Sequence, residues 1–218
     1  MTFCLGIKIN EGLVALADSR VVKGDERVSK AKLEIIRHGD RPVFVMTSGL
    51  RAVRDKAMIY LKERLEQREV PFGKLYQIAN EFGACLRVVR DEDGDALARD
   101  GLQFNTHAII GGCMEEDKAP GLLYLYPTGN WIEASIDSPY FIIGRSPYGK
   151  PILDRLLKHD IDLSTAVNLG FLAFDATRTS VTDVDYPLDI VTVANHGGLR
   201  RKCFLEDHMH EQIGRAHV

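Results

Sequence analysis

The sequence predicts a single-domain α+β protein, with two antiparallel sheets covered by layers of helices. Three observations predict it. Apolar runs with no helical period come in blocks joined by tight turns, the mark of hairpins. Between these blocks the helices come in pairs, so the order is strands, two helices, strands, two helices, strand. A doubly wound parallel sheet would need strict strand–helix alternation, and no linker or internal repeat divides the 218 residues.

Each element has its own signal. Phe3-Cys4-Leu5-Gly6-Ile7-Lys8-Ile9 is an apolar run, Asn10-Glu11-Gly12 a turn, and Leu13-Val14-Ala15-Leu16-Ala17 a second buried strand. Backbone pairing then fixes residue 2, where most termini fray. Residues 21–31 are polar and read as mostly irregular. Lys32-Leu33-Glu34-Ile35-Ile36 and Pro42-Val43-Phe44-Val45-Met46-Thr47 form a second hairpin, closed by Ser48-Gly49-Leu50. Val53, Ala57, Tyr60, Leu61 and Leu65 recur at helical spacing. A second helix starts near Lys74, with Leu75, Ile78, Ala79, Phe82, Leu86 and Val89 on one face, and the charged stretch 90–100 reads as an exposed helix end or a loop. Strands resume at 106–112, 122–126, 131–134 and 140–144, separated in part by the turns Pro127-Thr128-Gly129-Asn130 and Asp137-Ser138-Pro139. Helices over 150–158 and 163–176 follow, the second capped by Asp162 or Ser164, and 188–193 is the last core strand. The domain is assigned to residues 1–200, and 201–218 to a polar tail in which 214–218 reads as a non-native remnant.

Composition narrows the function. Apolar residues make up 45% and charged residues 27%, ordinary for a globular protein able to bury a sizeable core. A net charge of −3 argues against nucleic acid or an anionic membrane as partner. No apolar run approaches the ~18 residues of a spanning helix, and no basic-then-apolar signal segment is present. Cys4, Cys85, Cys113 and Cys203 lie far apart and read as free thiols in a reducing cytoplasm. The seven histidines form no metal pattern, and His208 and His210 read as solvated. No cofactor or metal is expected.

The chemistry starts at Thr2. A small residue there permits removal of Met1, with no pro-segment needed, and would leave a hydroxyl and a free α-amine on one residue. The amine, with an ordinary pKa of about 8, can accept the hydroxyl proton near neutral pH. A lysine ammonium nearby would ease alkoxide formation and keep the amine uncharged, and such a buried cation needs a carboxylate partner. Asp18 ends the strand paired to that of Thr2, and Lys32 opens the next, so hairpin geometry can bring all three to one sheet edge. Gly49, at a strand end, can offer a backbone N–H to an oxyanion. The flanking edges can pair with an extended peptide. Singly, each residue has a plainer reading: Asp18 with Arg20 as a surface ion pair, Lys32 as a solvated charge, Gly49 as a turn. The joint pattern favours the catalytic one.

Those residues resemble a known family. Thr2, the run Gly12-Leu13-Val14-Ala15-Leu16-Ala17-Asp18-Ser19-Arg20, Lys32-Leu33 and Met46-Thr47-Ser48-Gly49 resemble β-type proteasome subunits. The opening Met1-Thr2-Phe3-Cys4 and Tyr148-Gly149-Lys150-Pro151-Ile152-Leu153-Asp154-Arg155 are similar, more narrowly, to Anbu, the bacterial proteasome-related family. The resemblance implies a four-layer αββα sandwich, the N-terminal-nucleophile hydrolase fold. It implies Thr2 as nucleophile and its amine as base, Lys32 as the tuning charge, Asp18 as the partner of Lys32, and Gly49 as oxyanion donor. Where the family carries a serine near the amine this chain has Arg145, followed by Ser146, and Asp175, Thr177 and Ser180 are the candidates for its downstream aspartate and serine. Lys30, Thr47 and Arg51 fall where a first specificity pocket is lined, which implies acidic or polar substrate side chains.

The expected function is that of a threonine peptidase acting on peptides or unfolded protein, and the resemblance implies self-assembly into a ring or open spiral of identical copies in the bacterial cytoplasm. The sequence leaves an ATPase partner undetermined. Two alternatives stay open: a weakly active or inactive peptide-binding scaffold, and a small-molecule amidase on the same fold.

Overall fold

A computed structural model describes residues 2–23, 26–29, 31–196 and 198–205, with backbone alone over 20–23 and 26–29. The strands are β1 (Phe3–Ile9), β2 (Gly12–Asp18), β3 (Arg20–Lys23), β4 (Glu26–Ser29), β5 (Leu33–His38) and β6 (Arg41–Ser48). After helices α1 (Arg51–Glu66) and α2 (Leu75–Arg99) come β7 (His107–Gly112), β8 (Gly121–Leu125), β9 (Trp131–Glu133) and β10 (Tyr140–Gly144). Helices α3 (Lys150–Leu156) and α4 (Leu163–Arg178) precede β11 (Leu188–Ala194) and β12 (Leu199–Phe204).

One antiparallel sheet has the order β10-β1-β2-β11-β12 and the other β5-β6-β7-β8-β9. Strand periodicity builds three cores between four layers. Phe3, Leu5 and Ile7 of β1, Val14 and Leu16 of β2, and Ile190 of β11 pack with Leu169 and Phe174 of α4. Cys4, Ala15, Ala17 and Val191 turn the other way, onto Phe44, Met46, Ile109 and Leu122 of the second sheet. Val43, Val45, Ala108 and Ile110 face outward again, under Val53 and Leu61 of α1 and Ile78 and Phe82 of α2. Sheets covered on both faces explain why the strands read as continuous apolar runs and not as alternation. The fold is the expected αββα sandwich.

The differences from the sequence reading are local. Stretch 21–31, read as irregular, contains the two-stranded β3–β4 ribbon, as the β-formers Val21, Val22 and Val28 favour. The charged stretch 90–100 stays helical to Arg99, where Lys56 of α1 bonds both Glu92 and Asp93. The cap of α4 is Asp162, whose Oδ1 accepts from Thr165 N–H at 2.8 Å. Sequence reading ends the domain at 200, but β12 pairs with β11 as far as Phe204. The rest of the tail, with His208, His210 and the stretch 214–218, lies outside the described residues.

Candidate active site

The site is assembled where the β1–β2 ladder runs out. Its last paired residues are Cys4 and Ala17, and the next donor, Phe3 N–H, bonds the Asp18 side chain through Oδ1 at 2.8 Å. The other carboxylate oxygen, Oδ2, accepts from Lys32 Nζ at 2.7 Å. A single carboxylate thus ties the residue following Thr2 to the lysine. On its other side Thr2 is held through its carbonyl, which accepts from Arg145 N–H at 2.7 Å, next to the Phe3–Gly144 pair.

Lys32 is positioned from elsewhere than hairpin reasoning suggests. It precedes β5, and its carbonyl accepts from Thr47 N–H at 3.1 Å, which locks it to β6. β5 and β6 belong to the second sheet and β1 and β2 to the first. The Lys32–Asp18 pair therefore bridges the two sheets of the sandwich, and is not a meeting along one sheet edge. Both partners are sealed from solvent, with side-chain exposures of 3% for Lys32 and 0% for Asp18. Burial pushes the Asp18 carboxyl up to about 6, against the opposing pull of Lys32 and of the Phe3 N–H.

Thr2, Lys32 and Gly49 line one cavity of about 350 Å³ with Ser48, Arg51, Arg54, Asn105 and Gly144. Gly49 has φ of +116°, and a Cβ there would lie 2.7 Å from the Asn105 carbonyl oxygen, so no side chain is accommodated at this wall. Gly144 is tighter still: at φ +94°, a Cβ would lie 1.8 Å from the Thr2 carbonyl oxygen.

The remaining sequence-predicted residues divide. Arg145 touches Thr2 through its backbone, while its guanidinium pairs with Asp183 at 3.0 Å. Burial would raise the Asp183 carboxyl, but the Arg145 partnership helps to hold it below the usual range. Ser146 precedes α3, its carbonyl accepting from Lys150 N–H. Asp175 pairs with Arg178, and the hydroxyls of Thr177 and Ser180 donate to carbonyls of α4, those of Ala173 and Ala176. Thr47 is buried beside the site, and Arg51 reaches the cavity wall. Lys30 and Met1 lie outside the described residues.

Sequence reasoning missed four contributors. Arg54 sits one turn beyond Arg51, a spacing that α1's own period makes visible. Asn105 and Asp183 lie in connections that carry no periodic signal. Asp189 of β11 accepts from Ser19 Oγ and from Arg201, so β12 braces the residue that follows Asp18. Among the described residues no three His, Cys, Asp or Glu side chains gather to hold a metal ion.

The sequence model of the proteasome subunit family matches residues 2–193. The chain belongs to the proteasome subunit family. Solved structures similar to it are Anbu proteins. A mutant Anbu from Hyphomicrobium sp. strain MC1 is 30% identical with a TM-score of 0.88, covering 99% of this chain and 93% of that one. Anbu from Pseudomonas aeruginosa, solved as a helical assembly, is 27% identical with a TM-score of 0.89, covering 99% and 91%. The proteasome subunit beta 1 of Pyrobaculum neutrophilum is 25% identical over 205 residues, 92% of this chain and 94% of its own. The described residues of this chain form two five-stranded antiparallel sheets and four helices, similar in fold to these Anbu structures. Among its described residues no helix is long and apolar enough to cross a membrane.

Proposed function

We propose that this protein is a threonine peptidase in which loss of Met1 frees the amine of Thr2. The carrying observation is the Asp18 carboxylate, which bonds Phe3 N–H and Lys32 Nζ at once beside a cavity lined by Thr2, Lys32 and Gly49. In this reading Thr2 Oγ1 attacks the scissile carbonyl carbon and its proton passes to the Thr2 amine. Lys32 stabilises the developing alkoxide, and the Gly49 N–H faces the oxyanion. The resulting ammonium gives its proton to the leaving nitrogen as the C–N bond breaks, leaving an ester on Thr2. Water then repeats the sequence and restores the hydroxyl. Membership of the proteasome family and the solved helical assembly of the Pseudomonas aeruginosa Anbu support an assembly of many copies, which light scattering on the purified protein tests.

The test of the nucleophile is intact mass. The wild type is expected to lack Met1 and to gain one equivalent of a threonine-directed electrophile, whereas Thr2→Ala gains none. Retention of Met1, or equal labelling of Thr2→Ala, would sink this assignment and favour the scaffold alternative.

A pH profile tests the second residue. Two groups must be deprotonated, the amine near its ordinary 8 or below it and Asp18 near 6. Log kcat/KM is expected to fall with unit slope as the amine protonates, then to steepen below about pH 6 as Asp18 does. The steepening is expected to vanish in Asp18→Asn, with whatever activity that variant retains. A slope that stays at unity down to pH 4 in the wild type contradicts the role given to Asp18.

A further inference from the structure

We infer that the cavity beside Thr2 selects a substrate carboxylate, an aspartate or glutamate side chain on the acyl side of the scissile bond. The inference rests on the reading of Thr2 as nucleophile.

The argument starts from a helix that breaks a local rule. α1 begins at the cavity, with Leu50 as N-cap and Arg51 as first residue. A helix N-terminus carries about half a positive charge and favours acidic side chains in its first turn. α1 has no acidic residue there and no side chain capping it. Its first and fourth residues are arginines instead, Arg51 and Arg54, and both line the cavity. Cations at the positive end of a helix cost stability unless an anion offsets them, and such violations concentrate at functional sites.

Among the described residues the two arginines share one carboxylate. Asp55 accepts from Arg51 Nε at 3.2 Å and from Arg54 Nε and Nη2 at 3.2 and 3.1 Å. One carboxylate thus serves two guanidiniums, and Asp55 itself is not among the residues lining the cavity. Arg54 is the anchored partner, its side chain 9% exposed, and its Nη1 makes no hydrogen bond among the described residues. Arg51 is the exposed one, its side chain 60% accessible and within reach of a ligand in the cavity. The third cation on the wall, Lys32, has its carboxylate behind it in Asp18. No aspartate or glutamate lines the cavity among the described residues. Asn105 turns its Oδ1 to Leu50 N–H at 3.2 Å, which leaves its amide N–H groups as donors on the same wall. A wall of donors with no acceptor carboxylate fits a planar, bidentate anion.

The test separates this inference from the peptidase reading. The full-length Thr2→Ala protein is titrated calorimetrically with two acetylated tetrapeptides that end in glutamate or glutamine, both as C-terminal amides. The glutamate peptide is expected to bind about tenfold tighter, the effect of one charge-assisted hydrogen-bonded pair. The advantage should shrink with added salt and disappear in Arg51→Gln, an exposed position whose change leaves the fold intact. In Arg51→Glu the preference should invert toward a peptide ending in lysine. Equal binding of glutamate and glutamine peptides, or no binding of either at millimolar concentration, overturns the inference. Selective binding with no turnover of any peptide by the wild type would uphold it and remove the peptidase reading instead.

Discussion

Lys32→Met is expected to cost about 3–5 kcal/mol of stability and to lower acylation of Thr2 by roughly a hundred- to a thousandfold. The stability loss comes from leaving a buried carboxylate uncompensated, since the Asp18 side chain is 0% exposed. The activity loss comes from removing the charge that favours alkoxide on Thr2. These two effects part in the double variant Lys32→Met with Asp18→Asn. There the buried charge is gone, and the Oδ1 of the introduced asparagine can still accept from the Phe3 N–H that Asp18 accepts from at 2.8 Å. Replacing a buried ion pair by neutral groups of similar size is often nearly neutral for stability. The double variant is therefore expected to recover most of its denaturant midpoint while labelling of Thr2 stays lost. Recovery of activity along with stability would make the pair a structural device only, and a single variant as active as the wild type would remove Lys32 from the mechanism altogether.

The fold was legible because its two sheets are buried on both faces. Runs such as Leu13 to Ala17 and Val43 to Met46 lie in strands flanked by two cores, so each reads as continuous apolar sequence. The paired helices betrayed themselves by period, down to Phe82 and Leu86 on one face of α2. Boundaries were less legible. The charges of 90–100 mimic a loop, yet Lys56 of the neighbouring helix bonds both Glu92 and Asp93, a contact invisible to local pattern. In the site, Thr2, Asp18 and Lys32 were readable because the chemistry needs those residue types. The sheet-to-sheet route by which Lys32 reaches Asp18 was not, since register and layer stacking are tertiary facts. Asp183 was missed for the same reason. It stands 38 residues from Arg145, in a connection with no period, and only the folded chain brings the two within 3.0 Å.

Gly144→Ala is expected to unseat Thr2 and lower its labelling about a hundredfold or more, the effect of a displacement on the order of 1 Å at a reacting group. Two costs combine at this position. Gly144 has φ of +94°, a conformation that an L side chain adopts only with strain. A Cβ there would also stand 1.8 Å from the Thr2 carbonyl oxygen and 2.6 Å from its carbon, both backbone atoms that no rotamer change can move aside. Relief requires the two strands to part at this end, which breaks the 2.7 Å bond from Arg145 N–H to the Thr2 carbonyl. The adjacent Phe3–Gly144 pair would loosen with it, while the ladder beyond Cys4 and Ile143 can hold. Far-ultraviolet circular dichroism should therefore change little while the nucleophile is lost. Arg145→Ala is the contrasting variant. It deletes the guanidinium that meets Asp183 at 3.0 Å but keeps the N–H that holds Thr2. Labelling of Arg145→Ala is expected to stay within about tenfold of wild type, because backbone seating of Thr2 outweighs the ion pair beside it, a partly exposed contact of modest strength. A Gly144→Ala protein that labels at the wild-type rate, or an Arg145→Ala protein that labels as poorly as Gly144→Ala, would place the control of Thr2 in the side chains around it and not in the strand end that carries it.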